Sequence, residues 1–205
     1  MKLPASSRQA LVVTADEPSG GSLLLLERRG RFLPWRAVAG PTRVSLGRNG
    51  VAAAPRREEG DGKTPAGTYP LESAFGRAAQ FPTRLPYLAV TRDHEAVDDP
   101  ASRFYNRIVD RRDIARPDWK SSERMLRDDH LYDLGVVVGY NTAPAVPGKG
   151  SCIFLHIWKS PGAPTAGCIA MPRRDLERIV RRLEPAAKPV IVILPAPGPP
   201  RKAAP

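Results

Sequence analysis

The sequence predicts a mainly β domain with long loops and one α-helix near its C-terminal end. Short apolar runs rich in Val, Ile and Leu recur between clusters of Gly and Pro. Only one stretch has its apolar residues at helical spacing, and Val51 to Tyr87 is studded with the Pro and Gly of loops between short strands.

The elements follow in chain order. Leu11 to Thr14 and Ser22 to Arg28 form strands around the turn-like Asp16–Gly21, a hairpin. Arg43 to Leu46 is a third strand, closed by Gly47-Arg-Asn-Gly50, where Asn-Gly favours a tight turn. Gly67 to Leu71 and Tyr87 to Thr91 are short strands, and Arg92 to His130 is a long polar segment with one helical turn near Ser121 to Arg127. Leu134 to Tyr140 and Cys152 to Ile157 are β-branched apolar runs of the kind found in a sheet core. In Asp175 to Leu183, residues Leu176, Ile179, Val180 and Leu183 share one helical face, and Pro172 and Pro185 bracket it. Pro189 to Leu194 is the last strand. Residues 1–195 thus read as a single domain, and 196–205 as a Pro-rich tail that cannot join a sheet interior.

At 205 residues the chain is long enough to bury a real core without disulfide staples. Its formal net charge of +11 favours anionic partners. The arginines are scattered from Arg8 to Arg201 and aromatics are only 6% of residues, which argues against a nucleic-acid module, where basic residues cluster with aromatics between them. The apolar runs are far too short to cross a bilayer, so no integral membrane association is expected. Met1 to Ala10 has a lysine and an arginine but no apolar stretch behind them, so no secretory signal is read there. Two cysteines at no zinc-like spacing imply no structural metal, and no cofactor motif is complete. Gly60-Asp-Gly-Lys-Thr64 ends like a phosphate loop, but Arg57 stands where the first glycine is required and Pro65 follows where a helix should start.

The chemistry-bearing stretch is Gly150-Ser-Cys-Ile-Phe-Leu-His156, a Gly/Pro-rich loop, then Thr165-Ala-Gly-Cys-Ile169. A histidine ending a buried strand and a cysteine after a short loop can lie side by side, as a thiol nucleophile and its base require. An imidazolium partner would make thiolate the main form, where a free thiol of pKa about 8.5 is only about 3% ionised at pH 7. Gly167, lacking a Cβ, leaves room for a substrate carbonyl and for main-chain N–H donors. The plainer reading keeps Cys168 as a small buried hydrophobe and His156 as a satisfied core histidine. Cys152, four residues before His156, shares its strand face and is expected to pack in the interior.

Phe154-Leu-His156 with Thr165-Ala-Gly-Cys-Ile-Ala-Met171 resembles the L,D-transpeptidases of the YkuD type, which act on bacterial peptidoglycan. Gly60-Asp-Gly-Lys-Thr-Pro-Ala-Gly-Thr-Tyr69 is similar to that family's Thr-Pro-x-Gly-x-aromatic element, and Ser45–Gly50, Tyr105-Asn-Arg107 and Tyr140-Asn141 extend the likeness over about residues 40 to 195. The resemblance implies a sandwich-like β fold and a cofactor-free acyl transfer. In it, Cys168 attacks a tetrapeptide stem and forms a thioester that an amine resolves, with His156 as base and then acid and a backbone carbonyl orienting the ring. It also implies peptidoglycan stem peptides as partners and a periplasmic or cell-envelope location. Gly167 joins Cys168 and His156 in the catalytic set, while Tyr140, Asn141, Trp158 and Lys159 are candidates for binding the stem. The alternatives are a carboxypeptidase or amide hydrolase on the same stems, and a non-catalytic wall-binding module. Many members carry a histidine before the glycine and an arginine after the cysteine-hydrophobic pair; this chain has Ala166 and Ala170 there. Lys159 or arginines between Arg103 and Arg127 are candidates to replace that arginine.

Overall fold

A computed structural model describes residues 3–196; of the expected tail, all but residue 196 lies outside the described residues. Strands β1 (Gln9–Glu17) and β2 (Gly20–Glu27) form the expected hairpin, with Leu11 opposite Leu25, and β3 (Arg36–Ser45) continues the antiparallel set. β4 (Val51–Ala53) runs parallel to the start of β5 (Thr64–Gly76), and β6 (Tyr87–Ala89) parallel to its end. β10 (Leu134–Val138), β11 (Phe154–Ile157), β12 (Ile169–Met171) and β13 (Val190–Leu194) complete a ten-stranded sheet. Its order is β10-β11-β12-β3-β2-β1-β13-β5-β4, with β6 on β5, and β10 also pairs with β5. The sheet therefore closes on itself: Gly135 pairs with His156 on one side and with Phe75 on the other. The mainly β class is observed, with the layers formed by one closed sheet.

The alternation of side chains along each strand sets the layers. Leu11 and Val13 of β1, Ile191 and Ile193 of β13, and Leu155, Ile157, Ile169 and Met171 of β11 and β12 all enter the main core. Ala10, Val190 and Val192 take the opposite face with Leu3 and Trp35. The one α-helix, α1 (Arg173–Val180), starts after Pro172 and seats Leu176, Ile179 and Val180 in the main core, joined by Leu183 just beyond its end.

The segment from Arg92 to His130 is more ordered than its composition suggests. It holds a separate three-stranded sheet, β8-β7-β9, from β7 (His94–Val97), β8 (Arg107–Asp110) and β9 (Ser122–Arg124). The expected helical turn near Ser121 to Arg127 is thus a strand, with Glu123 paired to Ala96. Strands of three or four residues are too short to display a period in sequence. β3 likewise begins seven residues before Arg43, because Gly40 and Pro41 interrupt its apolar pattern and the pairing with β2 is bulged.

Candidate active site

β11 and β12 are parallel neighbours with Leu155 opposite Ile169 and His156 opposite Ala170. Since Leu155, Ile157, Ile169 and Met171 face the main core, the intervening Phe154, His156, Cys168 and Ala170 face the other way. Two adjacent strands thus deliver thiol and imidazole to one face. Both line a cavity of about 270 Å3, with Glu123, Arg127, Tyr132 and Lys159 on its walls.

Each group is fixed by identified partners. His156 Nδ1 lies 2.8 Å from the Ile157 carbonyl oxygen. A carbonyl only accepts, so Nδ1 carries the proton and Nε2 keeps its lone pair for a base's work. The Tyr132 ring meets His156 edge-on at 5.2 Å between centroids and belongs to an aromatic cluster with Phe75 and Phe154. The Cys168 Sγ donates toward the Cys152 carbonyl at 3.4 Å and accepts from the Phe154 N–H at 3.4 Å.

The turn carrying Cys168 is held from several directions. Thr165 Oγ1 donates to the Cys168 carbonyl at 2.7 Å and accepts the Gly167 N–H at 3.1 Å. The Thr165 N–H donates to the Leu46 carbonyl, and the Thr165 carbonyl accepts from Arg48 N–H. Gly167 has φ +152°, and a Cβ there would stand 2.9 Å from the Lys63 carbonyl oxygen. Glycine is thus required for backbone shape and close approach. Its own N–H, expected to be free to turn inward, is occupied by Thr165. The Gly60–Tyr69 segment serves as the bed under this turn: the Gly47 N–H donates to Thr64 Oγ1 at 2.8 Å, and Lys63 abuts Gly167.

The electrostatics depart from the expected thiolate. Cys168 is 7% exposed and His156 6%. Burial, reinforced by the Glu123 carboxylate, pushes the thiol up to about 12, against the pull of the Phe154 amide, the Tyr132 hydroxyl and Arg127. Burial brings the imidazole down to about 4, although the Ile157 carbonyl favours its protonated form. The resting pair is neutral, because desolvation penalises both charged forms and Glu123 adds a like charge beside the sulfur.

The remaining sequence candidates divide. Lys159 is exposed and stands on the cavity wall with His156 and Cys168. Trp158 is half-buried, donates its backbone N–H to the Met171 carbonyl, and is not on that wall. Asn141 staples its own loop: its side-chain amide donates to the Val146 and Gly150 carbonyls and accepts the Val146 N–H. Tyr140 is buried, donates its hydroxyl to the Lys149 carbonyl and packs edge-on against Tyr69, outside the cavity. Cys152 has φ 52° and precedes β11, so the shared-face argument fails there; it is buried, with Sγ toward the Val97 carbonyl. Among the described residues no group of three or more His, Cys, Asp or Glu is placed to hold a metal. No described helix is long and apolar enough to cross a membrane.

Sequence reading passed over Glu123 and Tyr132, whose hydroxyl donates to Glu123 Oε2 at 2.5 Å beside the thiol. Arg127, inside the cationic stretch singled out above, reaches the wall with its guanidinium over the Tyr132 ring and paired to Asp129. Only the parity of β11 could have pointed to a polar face opposite the core; nothing marked which distant residues fill it.

The family model of the L,D-transpeptidase catalytic domain, YkuD, matches residues 12–192. This chain belongs to that family. The match spans the closed sheet from β1 to β13 and includes His156 and Cys168. Among solved structures, L,D-transpeptidase 3 from Mycobacterium tuberculosis, in complex with a faropenem-derived adduct, is similar with a TM-score of 0.42 and 12% identity. The alignment covers 92% of this chain and 60% of that one, so the chain spans less than two thirds of that neighbour's length. No curated protein matches the sequence.

Proposed function

We propose that the protein is a peptidoglycan L,D-transpeptidase acting by cysteine acyl transfer at the cell envelope, with residues 1–195 as its catalytic domain and Cys168, His156 and Gly167 at the centre. The observation that carries this reading is the His156 ring, pinned at Nδ1 by the Ile157 carbonyl 2.8 Å away, on the strand next to Cys168 and on the same cavity wall.

The proton and bonds balance as follows. As Cys168 Sγ attacks the carbonyl of a stem peptide, its proton passes to His156 Nε2, and the new C–S bond forms. Collapse breaks the amide C–N bond, and the imidazolium returns the proton to the departing amine. The acceptor amine then attacks the thioester, gives its proton to the ring, and the thiol is restored. The neutral resting pair makes proton transfer concerted with attack, so His156 works as a general base. Gly167 shapes the turn, and Lys159 and Arg127 offer positive charge to an anionic part of the stem.

Purified muropeptides supply the test. Formation of cross-linked dimers by the protein, lost in Cys168→Ala, is the expected result. Tripeptide without dimers rejects transfer in favour of hydrolysis, and turnover surviving in Cys168→Ala rejects the nucleophile.

A further inference from the structure

The connection between β2 and β3 takes no part in the cavity of Cys168 and His156. Its sequence, Arg28-Arg-Gly-Arg-Phe-Leu-Pro-Trp35, sets arginines among apolar side chains. The base of this loop is braced. The Arg28 guanidinium donates to the Ser7 carbonyl at 2.8 Å, to the Pro4 carbonyl at 3.1 Å and to the Ala5 and Arg31 carbonyls at 2.6 Å, and it lies 4.6 Å over the Trp35 ring. Trp35 packs in turn against the outer apolar cluster of Ala10, Val190 and Val192. The Leu33 N–H closes a turn on the Gly30 carbonyl at 3.1 Å.

What this bracing holds in the open is apolar. Phe32 is 92% exposed and Leu33 beside it 53%. Side chains so placed add no packing to the fold, and a partner that takes them out of water gains their area. Arg29, Arg31 and Arg36 are exposed around them and pair with no carboxylate among the described residues. Arg29, Arg36 and Arg182 line a recess of about 530 Å3 together with Leu33 and Pro34. An adjoining recess of about 370 Å3 shares Arg28 and Arg182 and adds Arg8, Arg84 and Arg181. The acids on these walls, Glu27 and Glu184, are already paired, with Arg182 and Arg84 respectively. The face therefore keeps an excess of positive charge.

Two copies of the chain meeting through this face would set arginine against arginine, which like charges oppose. A soluble polyanion would use the arginines and leave Leu33 in water. A bilayer with anionic headgroups satisfies both features, because its phosphates meet the guanidinium groups while its acyl boundary takes the apolar tip. We propose that this loop docks the protein on the surface of an anionic phospholipid bilayer, with Phe32 and Leu33 in the acyl boundary and Arg29, Arg31 and Arg36 on lipid phosphates. The long arginine stems reach the headgroups while the tip sits deeper.

The test is flotation with vesicles of phosphatidylcholine alone or of an equal mixture with phosphatidylglycerol, at about 0.1 M salt, where charges act over about 10 Å. The wild type should bind the anionic vesicles at least about tenfold more tightly than the neutral ones. Arg29→Gln and Arg36→Gln should each weaken that binding about fivefold, and Phe32→Ser about tenfold. Phe32→Trp should keep the binding, and bromine-labelled acyl chains should quench its emission beyond that of the wild type. An unchanged Tm checks the fold of each variant. Equal binding to the two vesicles, or none to either, overturns the proposal. Binding that falls with the arginines but not in Phe32→Ser, or no added quenching in Phe32→Trp, also overturns it and assigns the arginines to a soluble polyanion.

Discussion

The neutral resting state of Cys168 and His156 has a measurable consequence in the pH dependence of thiol alkylation. A thiol at about 12 and an imidazole at about 4 lie about eight pH units apart. Moving the proton from sulfur to ring therefore costs on the order of 11 kcal/mol before the two charges attract each other. Even at a contact separation of ~4 Å and an effective dielectric of ~20, attraction between unit charges returns no more than about 4 kcal/mol, leaving a gap of roughly 7 kcal/mol or more. The ion pair is a rare form, and alkylation must draw on the small fraction of free thiolate. With iodoacetamide and peptide mass mapping to separate Cys168 from Cys152, the rate at Cys168 should rise about tenfold per pH unit from pH 6 to 9, without a plateau. An imidazolium-stabilised thiolate would instead react at a constant rate across that range. A flat profile at Cys168 would refute the reasoning.

Other outcomes follow from the same contacts. Glu123→Gln removes the like charge that holds the thiol up, so alkylation of Cys168 should become faster at a given pH. Gly167→Ala places a Cβ 2.9 Å from the Lys63 carbonyl in a positive-φ backbone, which should cost about 1–3 kcal/mol and lower Tm by several degrees in a thermal melt. Histidine 156 is held neutral in the fold down to about pH 4, whereas in the unfolded chain it takes a proton near pH 6.5, so its contribution to stability is present above 6.5 and is lost as pH falls from 6.5 to 4. Denaturant unfolding of the wild type compared with His156→Gln should show that loss, on the order of 3 kcal/mol, in the wild type only. Under the proposed mechanism the acid limb of kcat/KM should likewise lie near pH 4, since His156 would act as a base only unprotonated.

Much of the scaffold was legible in the sequence. The runs at Leu11, Ser22, Leu134, Cys152 and Pro189 carry enough β-branched and leucine residues to mark strands that become the closed sheet, and Leu176, Ile179, Val180 and Leu183 mark the helix by spacing alone. The cysteine and histidine segments were legible because they carry the residue types the proposed chemistry needs and happen to lie close together in the chain. The rest of the site is assembled from distant residues, with Glu123 lying 45 positions before Cys168 and Leu46, which braces Thr165, 122 before it, and pairing at such a distance leaves no local trace. The notable case is Tyr105-Asn-Arg107 and Tyr140-Asn141. Tyr140 and Asn141 were candidates for binding the stem and Tyr105-Asn-Arg107 had no assigned role, but in the fold the Asn106 amide donates to the Tyr140 and Asn141 carbonyls, while its oxygen accepts the Cys152 N–H. The acidic residue types were visible; only β9, too short for a period, brings Glu123 to the cavity that Cys168 lines.

The thiol's burial also bears on how the molecule ages. Peroxides and other oxidants attack sulfur as an exposed thiolate and drive it through sulfenic acid toward irreversible acids. A protonated thiol on a residue only 7% exposed offers little of either requirement. The domain can therefore rest under oxidising conditions with this sulfur chemically quiet, and loss of native structure, not elapsed time, would expose it to damage.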